Sequence, residues 1–363
     1  MTDRRRRIPA AIVAVVAAIA AIIELVGLVV DARQVAVAFL VAYAAVTSVM
    51  LGVLAMTMIA LLTTASWFAA VRHYAERVIS ALPALAVLCV PLLVAVLTLQ
   101  PAVAPDDHAR RAYLNPTFLV ARAVLYWIAW LVIAESLRVA FRIQRGGDDA
   151  KAARRFRVIS CAGLVVLSLT MTFASFDWMM ALTPRWYSTV YGVYWFAGGM
   201  TGAMGLLAIL GRAYGKPAEL TGSFQAIGKL MLTFVMFWVY TGFAQYIVIW
   251  SGNIPVEVLW YVQRTRGAWG GVALALLIGA AIAFVALVNR SIRARGEVVA
   301  ALGVLVLVLH YVDTSWMLLP SVMPATWWVA ALSVATLIIV AESAILVAAT
   351  RQRSLTPDDV AIY

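Results

Sequence analysis

Long apolar runs recur along this chain at roughly 8–30, 37–63, 78–100, 115–141, 156–181, 187–211, 225–250, 266–288, 297–319 and 325–349. A helix needs about 20 apolar residues to cross the hydrocarbon of a bilayer, and a water-soluble fold has no interior large enough to hide ten such helices. With 64% of 363 residues apolar and only 12% charged, against about half and about a quarter in soluble domains, the composition excludes a soluble enzyme, a disordered chain and a nucleic-acid-binding module. The mean hydropathy of +0.95 agrees. The expectation is an all-α polytopic membrane protein of about ten transmembrane helices, one integral membrane domain over 1–363. The first run has basic residues before it and no A-x-A-type cleavage site after it, so it is expected to be a retained span.

Net charge is +11, and topology accounts for it before any acidic partner does. With the N-terminus cytoplasmic, loops on that side carry 20 Lys and Arg and the opposite loops 6, which predicts both termini inside. The longest inside loop, RIQRGGDDAKAARRFR, separates five runs from five. Cys89 and Cys161 both lie in apolar runs, so the chain has no C-x-x-C pair and no haem-attachment or iron-sulfur motif of its own.

Ionisable residues inside apolar spans are costly, by about 2.5–3.5 kcal/mol at mid-membrane on insertion scales. Those here are Glu24, Arg122, Glu135, Asp177, Lys229, His310, Asp313 and Glu342. His310 and Asp313 are three residues apart on one helix, where a carboxylate can orient an imidazole or exchange a proton with it. They form the leading candidate site, and packing of a hydrogen-bonded pair is the alternative. Asp177 sits in SFDWMMALTPRWYSTVYGVYWFAGG, whose Trp and Tyr residues also fit an interfacial aromatic belt. Glu135, Glu342 and Lys229 fall in the inner half of their spans as candidates for a proton entrance, or as snorkelling end-of-helix residues. Glu24 and Arg122 are a candidate interhelical pair. Asp177, Leu182 and Pro184 recur as Asp313, Leu318 and Pro320 at a constant offset of 136, an echo that would relate the fifth and ninth spans as parts of a duplicated bundle.

Three segments in this order, SFDWMMALTPRWYSTVYGVYWFAGG at 175–199, GKLMLTFVMFWVYTGFAQYIVIWSGNIPVEVLWYVQR at 228–264 and LHYVDTSWMLLPS at 309–321, resemble the smaller membrane subunit of alternative complex III. That subunit belongs to the NrfD and polysulfide-reductase membrane-anchor family. The resemblance covers roughly 175–321. It implies two four-helix bundles, here about 37–181 and 187–319, with peripheral helices at 8–30 and 325–349.

It further implies a subunit of a quinol:electron-acceptor (cytochrome c type) oxidoreductase in the bacterial inner membrane, contributing quinone binding, proton translocation or both. The chain would have no redox cofactor of its own and would not be an autonomous enzyme. Its implied partners are a larger homologous NrfD-like subunit, a periplasmic iron-sulfur protein, and multihaem and monohaem cytochromes c that hold the haem and iron-sulfur clusters, all among membrane lipids. Carried onto this sequence, His310, Asp313 and Asp177 would handle quinol or protons. Trp178, Tyr187 and Tyr311 are the candidate surroundings of a quinone or menaquinone ring. The chain departs from the family in its eighth span, GGVALALLIGAAIAFVALVNR, which lacks the usual His-Phe and Pro, and at Pro255-Val256-Glu257, where an acidic pair is usual. A proton-coupled secondary transporter and a purely structural anchor are the competing functions.

Overall fold

The computed structural model describes residues 10–101, 103, 107–214, 217–322, 334–338 and 340–341, with the backbone alone for 10–17, 24 and 217–221. No strand occurs among them. The helices are α1 (Ala10–Leu62), α2 (Ser66–Ala69), α3 (Arg72–Ser80), α4 (Leu82–Leu99), α5 (His108–Tyr113), α6 (Pro116–Arg145), α7 (Asp149–Trp178), α8 (Tyr191–Tyr214), α9 (Pro217–Gly252), α10 (Pro255–Thr265), α11 (Ala268–Val288), α12 (Arg290–Arg293) and α13 (Gly296–Val322). A 3₁₀ turn at Met180–Leu182 follows α7.

Eight segments among the described residues are long and apolar enough to span a bilayer: Leu25–Leu62, Arg72–Leu99, Pro116–Arg145, Asp149–Leu182, Tyr191–Tyr214, Gly222–Gly252, Ala268–Val288 and Gly296–Val322. The protein is an all-α, multi-pass membrane protein. The two runs expected at 8–30 and 37–63 form one continuous stretch, α1, broken at Asp31, whose φ of −161° and ψ of 98° are extended. Asp31 caps the second half: its carboxylate accepts from Arg33 N and from Gln34 Nε2, both at 2.9 Å, and so satisfies an open helix N-terminus. The run expected at 325–349 lies mostly outside the described residues; 334–338 and 340–341 are helical.

The spans pack as two rings of four. The second half of α1 packs on α4 and α7, and α6 closes that ring; α8 packs on α9 and α13, and α11 closes the other. The rings join where α1 and α7 lie against α8. That seam needs glycine: a Cβ on Gly52 would stand 2.6 Å from Gly199 O, and one on Gly199 would stand 2.5 Å from Ser48 O. Small residues let backbones touch where no water is available to drive association.

The ends of the bundles differ. At the Arg-rich end, Arg145 reaches Glu76 and Arg212 reaches Glu297. At the other end, the short helices α5 and α10 occupy matching places, each between the second and third helix of its ring. From α5, Arg110 donates to Ala181 O (3.3 Å) and Thr183 O (3.0 Å). From α10, Arg264 donates to Met317 O (2.5 Å) and Ser321 Oγ (2.7 Å). Ala181 and Met317 stand at the same offset as Asp177 and Asp313, so the echo in the sequence has a counterpart in the way each ring fastens its short helix. Thr183 and Ser321 also bond to each other across the seam, at 3.0 Å.

Candidate functional site

The acids Asp177 and Asp313, related by the sequence echo, lie on the fourth helix of each ring, Asp177 in the last turn of α7 and Asp313 nine residues before the end of α13, and both are buried. Their surroundings diverge. Asp177 receives Arg122 through two bonds, Nε to Oδ2 at 2.9 Å and Nη2 to Oδ1 at 2.8 Å, and the hydroxyl of Tyr126 at 2.8 Å. Arg122 also donates to Tyr113 O and lies over the rings of Tyr113 (4.0 Å) and Phe118 (4.3 Å). Arg122 thus pairs with Asp177, because α6 and α7 are ring neighbours and bidentate geometry satisfies both planar groups at once; the side chain of Glu24, the partner expected for Arg122, lies outside the described ones. Behind this pair the first ring is filled with aromatics. Trp178, fully buried, makes edge contacts with Tyr43, Tyr126, Trp130 and Trp195.

Asp313 has no such cation. Its Oδ1 accepts from the Tyr194 hydroxyl at 2.5 Å and its Oδ2 from Trp238 Nε1 at 3.1 Å; among the described residues no Lys or Arg lies within ion-pair distance. Beside it opens a cavity of about 500 Å³ between α9, α11 and α13. Asp313, Tyr194, Trp238, Gln245, Tyr261 and Trp316 supply its polar atoms and rings. Ser188 Oγ donates to Gln245 Oε1 (2.9 Å) and Gln245 Nε2 donates to the Tyr261 hydroxyl (3.0 Å), which fixes the orientation of the amide. The opposite wall is apolar, and Phe243, Leu274 and Leu277 on its rim are 60%, 57% and 60% exposed on the outside of the bundle. The cavity thus opens sideways, toward lipid.

His310 serves a different neighbourhood. Its Nε2 lies 2.6 Å from Ser48 Oγ, and that hydroxyl donates to Ala45 O at 2.9 Å, so the imidazole is the donor in the pair. Nδ1 faces the backbone of Gly198, where an added Cβ would come within 2.5 Å. His310 and Asp313 share a helix and do not bond to each other: the imidazole turns to α1 and α8, the carboxyl to Tyr194 and Trp238. The expected imidazole–carboxylate pair is therefore absent, since each side chain finds a closer partner on a neighbouring helix.

The remaining candidates are dispersed. Glu135, half exposed at the Arg-rich end, pairs with Arg138 (2.7 Å) and Arg142 (3.3 Å). Lys229 is exposed on α9. Glu342 lies outside the described residues. Of the residues expected around a quinone ring, Trp178 fills the first ring of helices, Tyr187 is 68% exposed and Tyr311 lines a separate cavity; none of the three lines the cavity beside Asp313. Of the residues that do, Asp313 was expected and those of α9 were missed, although Trp238, Gly242, Gln245 and Tyr246 recur at intervals of four, three and one along α9 and so share one helix face. A stripe of that kind on an otherwise apolar span is a legible signal.

Close by, Arg264 is fully buried on α10, its guanidinium 3.6 Å above the Trp260 ring, which stacks in turn on Trp186 at 4.4 Å. Burial pulls its pKa down to about 9, so it stays a cation at neutral pH. Arg264 and the Trp316 indole, which donates to Arg264 O at 3.1 Å, tie α10 over the mouth of the second ring.

No protein-family model matches this sequence, and no curated protein matches it. What the chain can do is carried by this geometry: a carboxyl without a counter-charge, held by two donors, at the end of an apolar cavity that opens to the bilayer.

Proposed function

We propose that the chain is a membrane subunit of a quinol-oxidising electron-transfer complex, and that a quinol or quinone headgroup enters the α9–α11–α13 cavity beside Asp313. One observation carries this reading: the cavity is open to lipid at its apolar rim and ends on Asp313, Gln245 and Tyr261. A lipid-soluble substrate needs an apolar entrance, and its hydroxyl or carbonyl oxygens need donors and acceptors at the far end. Pockets of about 300–1,000 Å³ with few polar groups are the common form of small-molecule sites.

Oxidation of a quinol to a quinone releases two protons and two electrons. Asp313 is placed to accept a hydrogen bond from a quinol hydroxyl and then its proton, with Tyr194 and Trp238 holding the carboxyl in position. Gln245 and Tyr261 would orient the second oxygen, and its proton would follow the first through Asp313 once that carboxyl has released its proton to the aqueous face. The electrons need an acceptor outside this chain, and the resemblance of 175–321 to the alternative complex III subunit supplies its class: iron-sulfur and haem proteins at the same face. The first ring supports the structural share of the role, since Arg122 neutralises Asp177 and aromatics fill the space that the second ring leaves open.

Asp313→Asn keeps the size of the side chain and removes the base. In membranes containing the intact complex, the variant is expected to assemble at wild-type level and to lose quinol-dependent acceptor reduction by about a hundredfold, within the range for general-base loss. Turnover equal to wild type removes Asp313 from the chemistry and the proposal with it.

A further inference from the structure

A second cavity, of about 590 Å³, lies toward the Arg-rich end along the seam where α1, α3, α8 and α13 meet the described part of the last helix. Val46 and Val49 of α1, Leu210 of α8, Leu307 of α13 and Leu337 beyond it form its apolar wall. His310 reaches the deep end, yet its Nε2 is taken by Ser48 and its Nδ1 faces Gly198. A polar headgroup would find no imidazole nitrogen there.

The opposite end has the reverse character. Arg77 is the only Lys or Arg among the described lining residues, and no acid lines the cavity with it. Arg77 is exposed, and the neighbouring carboxylate, Glu76, is already held by Arg72 and Arg145 at 2.9 Å each. Its guanidinium therefore has no ion-pair partner among the described residues. Tyr214, which ends α8 at this face and is 56% exposed, stands at the same mouth. An apolar slot whose one described cation has no ion-pair partner among the described residues, at the Arg-rich end of the bundle, matches a ligand with a long hydrocarbon tail and an anionic head.

We infer that this cavity holds an acyl chain of an anionic phospholipid, with the phosphate on Arg77, as a wedge between the two bundles and the last helix. The site is separate from the cavity beside Asp313 and does not depend on the function proposed for it. The lipid fills space that protein side chains leave open, and its head supplies the charge that Glu76 cannot give Arg77.

The test is native mass spectrometry of the full chain, delipidated in mild detergent and offered phosphatidylglycerol or phosphatidylcholine of equal chain length. The wild type is expected to retain one phosphatidylglycerol with a preference of about fivefold, the scale of one basic residue at a membrane surface. Arg77→Gln, an exposed change, should bring the preference to parity, whereas Arg154→Gln, also exposed and on α7 at the same end, should leave it intact. Val46→Phe fills the slot and should abolish retention of both lipids, with helix content unchanged by circular dichroism. A preference that survives Arg77→Gln, an equal loss in Arg154→Gln, or an isoprenoid quinone retained in place of phospholipid and lost in Val46→Phe overturns the inference.

Discussion

Two aspartates at the same offset in an internal echo have acquired opposite chemistry from their neighbours alone. Asp177 faces an arginine that meets both of its oxygens, and a charge pair of that kind in a low-dielectric interior is costly to break and of little value relative to a well-packed apolar pair. Arg122→Met and Asp177→Leu are each expected to lower stability by about 3–5 kcal/mol, read as a fall in melting temperature and in the yield of folded protein. The double substitution should recover most of the loss, while two independent losses that add would show that the residues do not act as a pair. The presence of acids and of an imidazole in apolar spans was plain in the sequence. Their partners were not, because Arg122, Tyr194, Trp238 and Ser48 lie 55, 119, 75 and 262 residues from the groups they meet, and no local periodicity encodes a contact of that range.

At the scale of helices, α5 and α10 are the elements that apolar patterning overlooks, since each is short and follows a span directly. Both are pinned by an arginine to the carbonyl end of the fourth helix of their ring, and the two attachments differ in burial. Burial lowers the pKa of both guanidiniums, but Arg110 is partly open to solvent and Arg264 is sealed under Trp260 and Trp186. Arg264→Ala would remove the buried donor to Met317 O and one of the two bonds of Ser321 Oγ, which keeps Thr183, and leave a void under the Trp260 ring. It is expected to cost about 3 kcal/mol, against about 1 kcal/mol for Arg110→Ala, where water can replace the lost donor. Thermal unfolding of the two variants in one detergent checks the order; equal shifts would mean that α10 is held by its tryptophans and not by Arg264. Among the described residues, the polar groups buried toward the α5 and α10 end meet cavities or each other, whereas Glu135 and Lys229 toward the Arg-rich end are half exposed and exposed.

Across the whole molecule, the two rings differ in their interiors, one filled with aromatics and the other opening between α9 and α11. The quinol entrance proposed for this opening makes a specific demand on substrate entry. Leu277→Trp at the rim should raise the KM for quinol several-fold and leave kcat near the wild-type value, because the residue guards access and touches no reacting group. Steady-state assays across quinol concentrations measure both, and a fall in kcat alone would point to disturbance of Asp313 and not of the entrance. The sequence by itself determined that the chain is helical and membrane-embedded and located most of its spans, although it divided the continuous stretch of α1 into two runs; these follow from the apolar length a bilayer demands. Only the tertiary structure decided which aspartate is neutralised and which stands open, that His310 serves the seam between bundles, and where the cavities lie. Those outcomes depend on side chains from helices far apart in the chain competing for the same buried partners, and that competition is resolved by packing.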